Sequence, residues 1–171
     1  MQLIRKITDS DITGGTAPEY MDVISRYAAR GVLVDGMSNV AMMYMSKKDL
    51  YKLPGGGIEE NETIENAFLR EIKEEAGFEA IIIRELGYIE EHKKQNDFMQ
   101  FSYCFIAKIQ NEAHNVKLSE NEIQLGMMVK WMTLERALEV MNHSMVTCHD
   151  YSSKFMILRD KLILEKAVTL L

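Results

Sequence analysis

The sequence predicts an α+β fold, a mixed β-sheet with a central helix and one or two helices behind it. Three observations carry the prediction. Apolar segments of strand length stand at 23–34, 40–45, 80–92, 98–109 and 127–132, bounded by polar turns. A helical pattern at 63–77 sits in their midst, and from Thr133 onward the pattern is mainly helical. At 171 residues the chain suits one domain with a full core, and 47% apolar with 27% charged residues excludes wholesale disorder.

The elements follow in order. Residues 1–22 read as an N-terminal arm or strand extension with a turn signal at 13–18, and 23–171 as a single domain. VISRYAARGVLV and VAMMYM are strands joined by a tight connection through Asp35-Gly36 and Ser38-Asn39. Tyr51-Lys52-Leu53 leads into the run Pro54-Gly55-Gly56-Gly57. Beyond the central helix come AIIIRELGYIEEH and FMQFSYCFIAKI. In the second, Met99, Phe101, Tyr103, Phe105, Ala107 and Ile109 alternate with more polar partners, the pattern of a half-buried strand. MMVKWM is the last strand. Thr133 caps a helix to about Asn142, and an extra C-terminal helix spans about 152–170, with Phe155, Leu158, Leu162 and Ile163 on its apolar side. That helix is expected either to pack on its own sheet or to support a homodimer.

The net charge of −6 and the lack of a basic tract argue against a nucleic-acid polymer as partner. No apolar run approaches a membrane span, and the N-terminus has no apolar core of signal-peptide length, so no membrane and a cytoplasmic location are expected. Cys104 and Cys148 form no disulfide framework. His92, His114, His143 and His149 show no metal-ligand spacing.

The central helix carries the chemistry. Thr63 is its expected N-cap and Gly77 its left-handed C-terminal cap, with Ile64, Ala67, Phe68 and Ile72 as the apolar face. Glu71, Glu74 and Glu75 fall at i, i+3 and i+4, where Cβ atoms are roughly 5–6 Å apart and like charges repel. Such a set is unfavourable alone and becomes a hard-oxygen ligand set for Mg²⁺ or Mn²⁺. Arg70 can hold a carboxylate bidentately. The glycine run lets backbone approach a ligand or metal closely.

Residues 56–78 resemble the Nudix box, G-x5-E-x7-R-E-U-x-E-E-x-G-U with U bulky and apolar. Gly56, Glu62, Arg70, Glu71, Ile72, Glu74, Glu75, Gly77 and Phe78 fill every defined position. The resemblance extends more weakly over about 23–142. It implies an α/β/α sandwich in which the box forms a loop–helix–loop. It also implies metal-dependent hydrolysis of a pyrophosphate bond in a nucleoside diphosphate linked to a group X. Carried over by position, Glu71, Glu74, Glu75 and the Gly55 carbonyl are metal ligands. Glu71 can also be the base, Glu62 stands near the cluster, and Arg70 orients carboxylates. Some members take the base from a later loop, for which Glu120 and Glu122 are candidates, each also readable as an ordinary surface acid. Lys47 and Lys48 are candidates for substrate phosphates, or solvated turn residues. Trp131, Tyr88 and Tyr103 could stack on a base, and each reads more simply as core.

The downstream Pro of ADP-ribose hydrolases and the Tyr of dinucleoside polyphosphate hydrolases are absent, as is the extra motif of coenzyme A hydrolases. By elimination the expected substrate is a nucleoside triphosphate, oxidised forms included, giving monophosphate and pyrophosphate. ADP-ribose, nucleotide sugars and dinucleoside polyphosphates are the alternatives. A non-catalytic nucleotide sensor and an isoprenoid-diphosphate isomerase are the other classes. The intact glutamates oppose the first, and the apolar setting of Cys104 the second.

Overall fold

The two long apolar runs fold back on each other. In the computed structural model, which describes residues 1–15, 17–113 and 115–171, β6 (Phe78–Lys93) and β7 (Phe98–Glu112) form an antiparallel pair along their whole length. β1 (Leu3–Thr8) adds a parallel strand on the outer edge of β6, followed by a short α1 (Asp9–Thr13). β2 (Arg26–Val34) runs parallel to β7 on the other side, and the sheet order is β1-β6-β7-β2-β3-β4. Thr16, in the turn signal at 13–18, and His114 lie outside the described residues.

The sheet divides at β2. Its ladder to β3 (Val40–Met45) is the single pair Val34–Val40, and β3 pairs instead with β4 (Leu50–Lys52) and β8 (Met127–Met132). β5 (Gly55–Gly57) pairs with Ala28–Arg30 of β2. Leu53 and Pro54 therefore carry the chain from one half of the sheet to the other. The Pro54 carbonyl accepts the Gly31 N–H at 3.2 Å.

Helices cover both faces. α2 (Ile64–Glu71) runs into one π-helical turn (Ile72–Ala76) and buries Ala67, Phe68 and Ile72, with Phe68 stacked on Phe105 at 5.6 Å. After the short α3 (Glu120–Gln124), α4 (Leu134–Thr147) and α5 (Tyr151–Val168) follow β8. α5 buries Phe155, Ile157, Ile163, Leu164 and Ala167 against the opposite face and α4. The last helix thus packs on its own sheet, and no helix is long and apolar enough to cross a membrane among the described residues.

Coverage of both faces corrects the half-buried reading of β7. The intervening residues Gln100, Ser102, Cys104 and Ile106 are buried, whereas Phe101 and Tyr103 are half-buried. The reason lies in α5, which contributes Arg159 and Asp160 to the interior and so makes a polar strand face compatible with burial. Of the α5 positions expected to be apolar, Phe155 and Ile163 are buried and Leu158 and Leu162 only partly so.

Candidate metal centre

The acidic helix is placed by its apolar side. The Thr63 hydroxyl accepts the Asn66 N–H at 3.2 Å, starting α2. Burial of Ala67, Phe68 and Ile72 turns Arg70, Glu71 and Glu74 toward the glycine loop. The chain leaves through Gly77 at φ 79°, where a side chain would be strained.

Arg70 is the hub of the loop and helix. Its Nε and Nη2 donate to Glu62 Oε1 and Oε2 at 2.9 and 3.0 Å, and Nη2 also to the Gly57 carbonyl at 2.9 Å. Nη1 donates to Glu71 at 2.9 Å and Glu74 at 3.0 Å. The hydrogen bond from Arg70 holds the Glu62 carboxyl below the usual carboxylate range, and Glu62 in turn raises the Arg70 guanidinium. Gly56 is the point of closest approach. A Cβ there would lie 2.3 Å from Glu71 Oε1, so a larger residue would push the carboxylate away from its present place beside Arg70.

Glu75 departs from the expected common face with Glu71 and Glu74. The π turn alters the helical phase, and Glu75 enters the interior beneath β5, 3% exposed. It accepts the Gly55 N–H at 2.9 Å and the Lys52 ammonium at 2.5 Å. Burial pushes its carboxyl up to about 7, against the opposing pull of Lys52 and the Gly55 N–H, while Glu71 adds to the rise. Lys52 Nζ also donates to the Gly55 carbonyl at 3.3 Å. An ammonium thus lies between two oxygens that the family resemblance implies as metal ligands. Oxygen donors of this kind suit Mg²⁺ or Mn²⁺, and the Lys52 cation stands where such an ion's charge would be compensated. Among the described residues, no three acidic, His or Cys groups are gathered closely enough to hold a metal as they stand. Arg70 draws Glu71 and Glu74 to one side and Lys52 draws Glu75 to the other.

Beside this centre lies a cleft of about 440 Å³, whose walls include Arg26, Lys48, Lys52, Asn121, Glu122 and Asp150. Glu122 is part of α3, where it and Ser119 cap one another. Burial raises its carboxyl, but bonds from Ser119 and a contact with Glu75 outweigh this and hold it below the usual range. Glu122 is therefore brought to the site, whereas Glu120 is exposed outside the cleft lining. Lys48 lines the cleft. Lys47 is exposed and does not, its N–H serving the turn by donating to the Leu125 carbonyl at 3.1 Å.

Two cations escaped sequence reasoning. Lys52 was visible only as a residue leading into the glycine run. Arg26 opens β2, and its Nη2 would lie 2.9 Å from a Cβ on Gly57. Its relation to the loop depends on β2–β5 pairing, which no local pattern signals. The aromatic candidates lie apart from the cleft. Trp131 packs edge-on against Phe78 at 5.4 Å, and Tyr88 stacks on Phe101 at 5.4 Å. Tyr103 lies nearly parallel to Tyr27 in a separate groove beside Gly57–Glu60.

Comparison with known proteins adds to this geometry. The family model described as NUDIX domain matches residues 25–150. Nudix hydrolase 5 of Arabidopsis thaliana is 26% identical over 105 residues, 59% of this chain and 32% of that protein. Diphosphoinositol polyphosphate phosphohydrolase 3-alpha of Mus musculus is 29% identical over 101 residues, 59% of this chain and 55% of that protein. The match thus spans about a third to a half of the length of these curated relatives. A solved Nudix hydrolase from Nitrosomonas europaea superposes with a TM-score of 0.57 at 17% identity, covering 79% of this chain and 86% of that one, a likeness of fold.

Proposed function

The chain belongs to the Nudix family, and on that premise we propose that it hydrolyses a pyrophosphate bond in a nucleoside diphosphate derivative with Mg²⁺ or Mn²⁺. The preferred substrate is a nucleoside triphosphate, oxidised forms included. The observation that carries this reading is the Glu75–Lys52–Gly55 arrangement, a cation held by a carboxylate and a carbonyl at the edge of a cleft lined by Arg26, Lys48, Glu122 and Asp150.

Glu71, Glu74, Glu75 and the Gly55 carbonyl would hold the metal, which supplies Lewis acidity toward the phosphate chain. Arg70 keeps Glu71, Glu74 and Glu62 oriented, and metal binding would require Glu75 to release Lys52 and turn toward Glu71 and Glu74. Arg26, Lys48 and Lys52 line the cleft and can meet phosphate oxygens. Glu122 and Glu71 are the candidate bases. Glu122 stands beside Glu75 and lines the cleft, where it can reach a water at the metal site. Water attacks phosphorus, its proton passes to the base, and the bridging P–O bond breaks. From a triphosphate the products are a nucleoside monophosphate and pyrophosphate.

The test is a release assay with Mg²⁺ or Mn²⁺, coupled to pyrophosphatase to separate pyrophosphate from phosphate. The panel comprises nucleoside triphosphates with 8-oxo forms, ADP-ribose, nucleotide sugars and dinucleoside polyphosphates. Metal-dependent release of pyrophosphate from a triphosphate is the expected result. Cleavage confined to another class would replace the substrate while keeping the reaction. Silence across the panel with metal binding intact would favour the sensor reading.

A further inference from the structure

The cation site rests on a second cluster that belongs to neither its helix nor its cleft. Asp160 on α5 is fully buried, and its Oδ2 accepts the Leu53 N–H at 2.8 Å. Leu53 immediately precedes Pro54 and Gly55, whose N–H and carbonyl engage Glu75 and Lys52. Pro54 has no N–H to donate. Leu53 thus provides the backbone donor just ahead of Gly55, and it is spent on a side chain 107 residues later in sequence.

Asp160 is itself held. Its Oδ1 accepts Arg159 Nε at 2.7 Å, and Arg159 Nη1 donates to Glu91 Oε2 at 3.1 Å. Gln100 Nε2 adds a bond to the same Glu91 oxygen at 2.8 Å, and Lys93 Nζ lies 3.3 Å from Oε1. From β2, Arg30 donates to Ser102 at 3.3 Å, and its backbone pairs with Gly55. Glu91, Arg30, Arg159 and Asp160 are all at least nine-tenths buried. In this low-dielectric setting a carboxylate with fixed partners is a stiff anchor. Asp160 also lies beyond residue 150, where the family match ends.

We propose that Asp160 is a positioning residue: through the Leu53 N–H it fixes the Leu53–Gly55 segment so that the Gly55 carbonyl and Glu75 face one cation. α5 is on this account part of the metal centre. The inference rests on the metal reading given above.

The test compares two α5 variants in the full chain, with Mn²⁺ affinity measured by electron spin resonance and amide exchange measured at Leu53. Asp160→Ala removes the acceptor, whereas Arg159→Met injures the same cluster and leaves it. Asp160→Ala is expected to lose Leu53 protection and weaken Mn²⁺ binding about tenfold, the scale of a partner that orients a metal ligand. Asp160→Asn, which keeps an acceptor oxygen, recovers most of the affinity. Arg159→Met, which loosens the acceptor but leaves it in place, loses less Mn²⁺ affinity than Asp160→Ala at temperatures where it is folded. Should Asp160→Ala not fold, the double variant Arg159→Met/Asp160→Leu removes both charges together and reads the same loss. Undiminished Mn²⁺ affinity in the variants lacking the acceptor would overturn the proposal, as would an equal loss in Arg159→Met. Wild type and Glu75→Gln binding Mn²⁺ alike would overturn the metal reading itself. In that case Leu53 protection still reports whether Asp160 holds the loop.

Discussion

Two guanidinium-centred clusters stand on opposite faces of the sheet, one around Arg70 and the other around Arg159. Arg70 is 22% exposed and faces Glu62, Glu71 and Glu74, so its cluster carries surplus negative charge at the solvent boundary. Arg159 is 5% exposed, with Glu91 and Asp160 wholly buried, and Arg30 and Lys93 complete that set. The half-exposed cluster can exist with its charge unmet because water screens it, and it is thereby free to take a cation. The buried one must be nearly balanced, because an uncompensated charge there costs several kcal/mol. Similar residues thus make a candidate cation site in one setting and a buried ion-pair cluster in the other.

The largest test of that contrast is Arg159→Met. Leaving Glu91 and Asp160 without their guanidinium is expected to cost about 3–5 kcal/mol of stability, read by urea denaturation. Loss below about 1 kcal/mol would show that the buried cluster is not the anchor. Glu74→Gln should do the reverse. Its carboxylate is 34% exposed, so stability should change by less than about 1 kcal/mol. Steady-state kinetics at saturating Mg²⁺ should show turnover reduced about a hundredfold or more, and unchanged activity would sink the assignment. Arg70→Lys is expected to be milder. Lysine keeps the charge but cannot hold Glu62 bidentately while bonding Glu71 and Glu74, so Mn²⁺ affinity should fall about tenfold.

Acidification offers the finest comparison. Burial works to raise the Glu91 carboxyl, but Arg159, Lys93 and Arg30 outweigh it and hold it below its ordinary 4.5. A depressed carboxylate contributes stability above that value and loses it as pH falls through the lower folded-state value. Thermal midpoints measured downward from pH 5 should therefore fall less steeply in Glu91→Gln than in wild type. Glu62→Gln should change the slope less, because Glu62 is more exposed.

How much was legible differs between the clusters for the same reason. Glu62, Arg70, Glu71, Glu74 and Glu75 lie within fourteen consecutive positions, so their spacing alone puts them on one loop and helix. Even there the π turn moved Glu75 off the shared face, which 3.6-residue periodicity cannot anticipate. The members of the other cluster come from β2, β6, β7 and α5, and no local spacing links them. Gln100 and Ser102 accordingly resemble the polar side of a half-buried strand, though both are buried.

The sequence by itself determined the elements and the site's local content. The main strand and helix identities follow from periodicity, the caps at Thr63 and Thr133 from side chains beside their own helices, and the acidic set from contiguous residues, whereas the expected loop at 119–122 is the start of α3. Tertiary structure alone decided that Lys52 and Arg26 join the site, that Glu75 lies beneath the glycine loop, and that Asp160 holds Leu53. Local order is encoded in neighbours a few residues apart. Burial and pairing depend on which distant surface closes over a residue, and that is known only once the sheet and α5 have packed.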